Sequence, residues 1–170
     1  KGFIALLTND GTPATARLAS ALTELNWRGV VMNFPQTAVN ALNKLPVHIP
    51  QVTPPDLFEG NLELVLENIE TEYGQVGAFI HLNPYSDSAP DMPFVEAEKA
   101  IVKEVFLLAK HLKDSLSAAA SAGRSYFMTV ARLVVTEALP NRVCFAEVAA
   151  GGNFVFPYRP TVFFGYIFRR

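Results

Sequence analysis

The residues best suited to ligand chemistry stand in a turn that follows the first apolar run. Residues 2–8 (GFIALLT) predict a buried strand, and residues 9–13 (NDGTP) predict a tight turn that opens a helix. Such a turn holds the pyrophosphate of a dinucleotide when glycines in the pattern Gly-x-Gly-x-x-Gly let the backbone approach the phosphates. Asp10, Gly11 and Thr12 are therefore candidate cofactor-binding residues.

The same turn departs from the pyrophosphate-binding pattern at several positions. Gly11 is the only glycine in the turn, and Pro13 removes one N–H from the helix start that would receive the anion. An acidic residue to hold an adenosine ribose is missing at the end of the second predicted strand, where residues 33–36 read NFPQ. We therefore expect this segment to bind no cofactor.

The tyrosines of the chain lack the partner that reductase chemistry requires. Short-chain dehydrogenases use a Tyr-x-x-x-Lys pair, in which the lysine lowers the pKa of the proton-donating tyrosine. The chain has five tyrosines, and none has a lysine four residues later. Tyr166 is followed at that spacing by Arg170, whose guanidinium cannot be tuned in the same way. We therefore predict no catalytic residue in this segment.

Further polar residues are predicted to line the crevice that open α/β sheets form beyond the carboxyl ends of their strands. Asn83 follows the fourth predicted strand and joins the candidate cofactor-binding residues. The alternative interpretation is that these polar groups cap helices and satisfy turns. The set comprises Asn9, Asp10, Asn83, Tyr85, Ser86 and Arg132.

The histidines and the cysteine do not form a metal-binding pattern. His48, His81 and His111 lie far apart in the sequence, and none has ligand spacing to Cys144 or to a carboxylate. His81 lies inside an apolar strand and is interpreted as a hydrogen-bonded core residue. Cys144 is interpreted as a small buried apolar group. We predict no metal site.

Strand-like and helix-like runs alternate along the chain. This order predicts an α/β fold with a Rossmann-like parallel sheet flanked by helices. Besides residues 2–8, strands are predicted at 30–34, 48–52, 76–82, 125–133, 142–148 and 162–168. Helices are predicted from Pro13 until Gly29 ends the first, from Asp56 to Tyr73, and from Phe94 to Ala122.

The helix faces are predicted from apolar spacing. Asp56 and Glu59 resemble a capping box for the second helix, whose carboxylates at 59, 63, 67 and 70 are expected to face water. Lys99, Lys103, Lys110 and Lys113 are expected on the exterior of the third helix. The predicted buried stripes are Leu18, Ala21, Leu22 and Leu25 in the first helix, Leu62, Val65, Leu66 and Ile69 in the second, and Val102, Phe106, Ala109, Leu112 and Leu116 in the third.

Length and composition limit the classes of function. The 170 residues fit one domain, half of them are apolar, and the net charge of −2 argues against nucleic-acid and membrane partners. One cysteine excludes an internal disulfide, and no apolar run is long enough to span a bilayer. The start at Lys1 lacks a signal-peptide pattern and predicts a piece of a longer, cytoplasmic polypeptide. The high apolar fraction favours a face that a partner covers.

The predicted organisation has two parts within a single domain. Residues 1–133 form the Rossmann-like core, and residues 134–170, broken by Pro140 and Pro157, form a strand-rich extension. No convincing crossover helix follows the fifth strand. Either the chain switches to an antiparallel edge there, or a segment near residues 133–134 is absent from this sequence; we favour the second alternative.

Four segments carry a resemblance to a known family: residues 6–13 (LLTNDGTP), 25–31 (LNWRGVV), 76–84 (VGAFIHLNP) and 106–112 (FLLAKHL). They resemble the ketoreductase region of polyketide synthases, and above all that of bacterial synthases of polyunsaturated fatty acids. The resemblance covers about residues 3–133. In that family a truncated structural half braces a second half, which carries the NADPH site and the Ser/Tyr/Lys catalytic residues.

The resemblance implies that this chain is the non-catalytic structural half, with a truncated Rossmann-like (short-chain dehydrogenase-like) parallel sheet flanked by helices. Its implied partners are the catalytic half and other domains of the same synthase, with an acyl carrier protein as an indirect partner. No family catalytic residue can be placed on a position of this sequence. The alternative is an NADPH-dependent β-ketoacyl reductase whose catalytic segment is absent from these residues, and a third hypothesis is an unrelated α/β domain that binds another small ligand.

Overall fold

A computed structural model of the chain describes residues 2–35, 45–84, 96–131 and 162–166. Its sheet has the strand order β3-β2-β1-β4-β5-β6, and the first five of these strands are parallel. The predicted α/β fold with a Rossmann-like parallel sheet is confirmed. The strands are β1 (Ile4–Thr8), β2 (Arg28–Met32), β3 (Gln51–Val52), β4 (Val76–Leu82), β5 (Tyr126–Ala131) and β6 (Val162–Tyr166). The helices are α1 (Pro13–Glu24), α2 (Glu59–Glu72), α3 (Glu96–His111) and α4 (Lys113–Ser121).

Helices cover both faces of the sheet, so the buried strands are apolar on both sides. In β1, Ala5 and Leu7 face a core with Ala19 and Leu22 of α1, whereas Ile4 and Leu6 face the opposite core. That second core contains apolar residues of α2, α3 and the α3–α4 junction, among them Leu66, Ile69, Leu108 and Leu112. This two-sided burial explains the continuous apolar runs of β1 and β4.

The last described strand runs against the others. Strand β6 pairs with β5 in antiparallel register, with Met128 opposite Gly165. Residues 162–166 therefore agree with the first alternative, in which the chain switches to an antiparallel edge of the sheet. The predicted strand at 142–148 lies outside the described residues, and an absent segment near 133–134 stays a prediction. None of the described helices combines the length and apolarity that crossing a bilayer requires.

Helix α1 begins as predicted but ends and packs differently. Thr12 caps it by accepting a hydrogen bond from the N–H of Ala14, and Pro13 occupies the first turn. The predicted end at Gly29 is wrong, because Asn26 adopts a left-handed φ of 58° and ends the helix three residues earlier. The predicted stripe is partly wrong: Leu22 is buried, whereas Leu25 is 67% exposed. The buried residues are Thr15, Ala19 and Leu22, and Ala21 is exposed.

Helix α2 packs as predicted, but it is not capped as predicted. Phe58 is the N-cap residue and makes no side-chain capping bond, so the expected capping box is wrong. The Asp56 carboxylate instead accepts hydrogen bonds from the Phe58 N–H and from the Asn61 amide, which closes the preceding turn. The inward stripe is confirmed, with Leu62, Leu66 and Ile69 buried and Val65 partly buried.

The predicted third helix is divided at Leu112 into α3 and α4, and its inward face is largely different. Leu112 is buried as predicted, but Val102 and Phe106 are 63% and 68% exposed. The face that packs on the sheet carries Glu104. This glutamate interrupts the apolar spacing of the buried face, so the sequence pattern does not indicate that face. The four lysines are exposed, as expected. The buried residues of this segment are Ile101, Glu104, Leu107, Leu108, Leu112, Ser115 and Ala119.

Candidate functional site at the strand ends

An asparagine directly follows each of three neighbouring strands at the same edge of the sheet. Asn9 follows β1, Asn33 follows β2 and Asn83 follows β4, and these three strands are adjacent and parallel. In open α/β folds this edge is where ligands bind, next to the point at which the strand order reverses. The structure therefore brings Asn83 to the same edge as the turn that carries Asp10.

The Asp10 carboxylate is held by the turn and helix that follow it. Oδ1 accepts hydrogen bonds from the Thr12 N–H at 2.9 Å and from the Thr15 hydroxyl at 2.7 Å. Oδ2 accepts one from the Thr12 hydroxyl at 2.8 Å. Asp10 is 3% exposed and Thr15 is fully buried, so these bonds form away from bulk water. The carboxylate thus holds Thr12, the N-cap residue of α1, and Thr15 in the first turn of that helix.

The other backbone donors of this turn also have acceptors from the chain. The Gly11 N–H donates to Oδ1 of Asn9 at 3.0 Å, and the Ala14 N–H donates to the Thr12 hydroxyl at 3.1 Å. Gly11 has a φ of 76°, which a glycine adopts without strain. Pro13 has no N–H to offer. The donors that would cradle a phosphate are consequently bonded to side chains of the turn.

A chain of amide side chains links the ends of β1, β2 and β3. The Asn9 amide donates to Oδ1 of Asn33 at 2.9 Å, and the Asn33 amide donates to the Thr53 hydroxyl at 3.1 Å. Asn9 and Asn33 are both buried. Asn33 stands where an acidic residue would hold an adenosine ribose, and its side chain is instead bonded within the protein.

His81 connects the ends of β1 and β4. Its Nδ1 lies 3.0 Å from the Thr8 hydroxyl, and its ring is 3% exposed, which confirms a hydrogen-bonded core residue. Burial lowers the pKa of His81 to about 4, although a hydrogen bond with the Asn83 side chain acts in the opposite direction. The imidazole is therefore neutral at physiological pH.

These contacts do not fit a dinucleotide at the turn. A pyrophosphate would need the N–H groups of Gly11, Thr12 and Ala14, which donate to Asn9, Asp10 and Thr12. It would also meet the buried carboxylate of Asp10. The arrangement stabilises the start of α1 and the sheet edge, in agreement with the interpretation that these polar groups cap and close the turn.

Glu104 is a second unusual acid, on the face of α3 that packs against the sheet. Its side chain is 1% exposed, and neither carboxylate oxygen has a hydrogen-bond partner among the described residues. Burial raises the pKa of Glu104 to about 8, so that the neutral acid is the main form at pH 7. Sequence analysis missed this residue because a glutamate inside a helix ordinarily faces water.

The remaining candidates are distributed over other parts of the fold. His111 lies at the contact of α2 and α3, with Nε2 3.1 Å from Oε1 of Glu59, and His48 is exposed. Within the described ranges no three His, Cys, Asp or Glu side chains are grouped to hold a metal ion. Tyr166 lies in β6. Tyr85, Ser86, Arg132, Cys144 and Arg170 lie outside the described residues.

Sequence analysis also missed Thr15 and Thr53, which complete the polar network. One signal was present: Asn9 and Thr53 directly follow predicted strands, and Asn33 lies near the carboxyl end of the predicted strand 30–34. Because parallel strands end at one edge, these positions had to meet there. Their mutual bonding, by contrast, depends on side-chain geometry.

Comparison with known proteins yields neither a matching family model nor a curated protein with significant similarity. The assignment of function therefore depends on the residues of this chain, their geometry and the resemblance of its segments.

Proposed function

We propose that this chain is a non-catalytic structural subdomain that supports the ketoreductase of a multidomain polyketide or polyunsaturated fatty acid synthase. The resemblance of residues 3–133 to the structural half of such ketoreductases motivates the proposal. The parallel sheet agrees with that half, and the internally bonded turn at Asp10 agrees with a half that leaves cofactor binding to its partner.

The observation that carries the proposal is the pair of exposed apolar side chains on α3. Val102 and Phe106 are 63% and 68% exposed and lie one helical turn apart, hence on one side of the helix. Lys103 and Lys110 are exposed on the same helix. Large apolar side chains grouped on a surface mark an interaction site, because their burial in a complex is favourable. We call this pair the α3 apolar face.

The proposed partner of the α3 apolar face is the catalytic half of the same synthase. That half would carry the NADPH site and the Ser/Tyr/Lys residues, and this segment would hold its shape. An acyl carrier protein would deliver the β-ketoacyl chain to the catalytic half and would contact this segment only indirectly. No catalytic residue and no cofactor is assigned to this segment.

The test is made on the full parent polypeptide with its reductase activity as the readout. We expect the double variant Val102→Asp, Phe106→Asp to lose most NADPH-dependent reduction of a β-ketoacyl substrate, because charges on the α3 apolar face oppose docking. The control is Leu64→Asp, which places the same charge on an exposed leucine of α2. Circular dichroism of the isolated variant chains checks that both still fold. Full activity of the double variant would refute the proposal, as would a parent without reductase activity.

A second candidate function is an NADPH-dependent β-ketoacyl reductase whose catalytic segment is absent from these residues. The strand order β3-β2-β1-β4-β5 favours it, since dinucleotide-binding folds use this order. A calorimetric titration of the chain with NADPH separates the two candidates. Micromolar binding would favour the reductase, and no heat from a folded chain at millimolar NADPH would favour the structural subdomain.

A further inference from the structure

We propose that the Asp10 carboxylate is a built-in anion that takes the place of a ligand phosphate at the start of α1 and closes this turn to dinucleotides and to inorganic phosphates. The inference rests on the proposed non-catalytic function and supplies a physical cause for it. It concerns the carboxyl edge of the sheet, whereas the proposed docking concerns the α3 apolar face.

The backbone donors of this turn are already occupied by side chains of the turn. In nucleotide-binding folds the N–H groups at this turn point at the pyrophosphate. Here Thr12 N–H donates to Asp10, Gly11 N–H donates to Asn9, and Ala14 N–H donates to Thr12. A phosphate could bind only after these bonds had broken, and each broken bond would leave a side-chain oxygen to be solvated elsewhere.

The Asp10 side chain is also a buried acid at the place where a phosphate would bind. Asp10 is 3% exposed, and its two oxygens accept three hydrogen bonds from Thr12 and Thr15. The helix start favours a nearby carboxylate through the same kind of charge interaction that favours a bound phosphate. A phosphate approaching the turn would meet a like charge at short range and with little water between them.

Asp10 is also anchored to Thr15 of α1 by two hydrogen bonds. The Thr15 hydroxyl donates to Asp10 Oδ1 at 2.7 Å and accepts from the Asp10 N–H at 3.1 Å. Thr15 is itself fully buried, on the face of α1 that packs against the sheet. Swinging the carboxylate away would therefore disturb the contact of α1 with the sheet as well as the turn.

The experiment uses inorganic pyrophosphate and NADPH as probes and the amide signals of Gly11, Thr12 and Ala14 in NMR spectra as readout. We expect neither probe to shift these signals in the wild-type chain. We expect Asp10→Ala to bind pyrophosphate at the turn with a Kd on the order of 1 mM, at least about tenfold tighter than the wild type. Asp10→Asn, which keeps the shape and removes the charge, is expected to lie between them.

The matched control is Glu24→Ala, which removes an exposed carboxylate at the other end of α1 and changes the net charge by the same amount. It should leave the response to pyrophosphate unchanged. Probe-induced shifts at the turn in the wild type would overturn the inference. A folded Asp10→Ala chain with no gain in binding would overturn it as well, as would an equal gain in Glu24→Ala.

If Asp10→Ala does not fold, hydrogen exchange of the wild-type chain tests the inference instead. Internal bonding predicts that the amide hydrogens of Gly11, Thr12 and Ala14 exchange more slowly than in an unstructured peptide, with or without pyrophosphate. Unprotected exchange that pyrophosphate slows would overturn the inference. None of these outcomes depends on docking, so a failure of the α3 variants to lower reductase activity would refute the proposed function independently.

Discussion

The Thr8 hydroxyl lies 3.0 Å from Nδ1 of His81 and joins the last residue of β1 to the penultimate residue of β4. The same hydroxyl accepts a hydrogen bond from the Leu82 N–H at 2.8 Å. A neutral imidazole satisfies this geometry in the buried edge of the sheet. The two strands that flank the candidate site are therefore tied by a side-chain contact as well as by the ladder of backbone bonds.

His81 is expected to make the protein less stable in acid. Its pKa is lowered from 6.5 to about 4 by burial, so below pH 6.5 the unfolded chain binds a proton that the folded chain excludes. Stability should fall as the pH falls from about 6.5 towards 4, by up to ~3 kcal/mol from this residue.

Urea denaturation of the wild type and of His81→Gln over this range measures the effect. The variant should show a smaller pH slope, and His48→Gln, at an exposed histidine, should keep the wild-type slope. Equal slopes in wild type and His81→Gln would contradict the prediction.

Glu104 is expected to make the protein less stable in base. Its pKa is raised from 4.5 to about 8, so above pH 4.5 the unfolded chain releases a proton that the folded chain retains. Stability should fall as the pH rises from 4.5 through 8, by roughly 3–5 kcal/mol in total. Glu104→Leu should remove this dependence and raise the free energy of unfolding at pH 8, since it ends the cost of a buried charge without a partner.

The matched control for Glu104→Leu is Glu67→Gln, at an exposed carboxylate of α2, for which we expect little change in unfolding at either pH. Denaturation at pH 5 and pH 8 is sufficient for all three proteins. A Glu104→Leu chain that loses stability at pH 8, or that keeps the wild-type pH slope, would show that the carboxylate has a compensating contact in the folded protein.

Gly77 is expected to tolerate no side chain. It is an extra residue in the pairing of β4 with β1, since Ile4 lies opposite Val76 and Ala5 opposite Ala78. A Cβ at Gly77 would lie 2.8 Å from the Phe3 Cβ, an atom that cannot move without its backbone. Gly77→Ala should therefore cost ~1–3 kcal/mol of stability.

The control for Gly77→Ala is Gly60→Ala, near the start of α2, where an added Cβ meets no atom within 4 Å. That substitution should be neutral or should stabilise by up to ~1 kcal/mol, because alanine favours helix more than glycine does. Thermal or urea unfolding of both variants measures the difference. Equal stabilities of the two variants would show that β1 can shift to accommodate the methyl group.

Thr15 is expected to support the turn through its hydroxyl. Thr15→Val keeps the shape of the side chain but removes one donor to the buried Asp10 carboxylate and one acceptor for the Asp10 N–H. We expect a loss of ~1–3 kcal/mol in the free energy of unfolding.

Thr15→Ser keeps the hydroxyl and should lower the free energy of unfolding by less than Thr15→Val does. Ser20→Ala, which removes an exposed hydroxyl bonded to the Ala16 carbonyl, should change little. A Thr15→Val chain as stable as Ser20→Ala would contradict the role assigned to this bond.

Much of the fold could be predicted because its signals are local. The bounds of β4 agree with the predicted residues 76–82, since a strand buried on both faces reads as an uninterrupted apolar run between turn residues. The start of α1 was also predictable, because Thr12 and Pro13 suit the cap and the first turn whatever the rest of the chain does. The end of α1 was not, because both Asn26 and Gly29 can end a helix and the chain uses only one of them.

The sequence by itself determines the features that depend on neighbouring residues. These are the alternation of strands and helices, the capped turn after β1, and the departure of that turn from the pyrophosphate-binding pattern. The inward face of α3 was settled by packing on the sheet, which buries Glu104 and exposes Phe106 although apolar spacing favours the reverse. The bonding of Asp10 to Thr15 likewise requires atomic positions. Both results depend on distances between side chains, which the order of residues does not contain. The apolar spacing of α3 is compatible with two different buried faces, and an acidic side chain in a turn can point towards the protein or towards water.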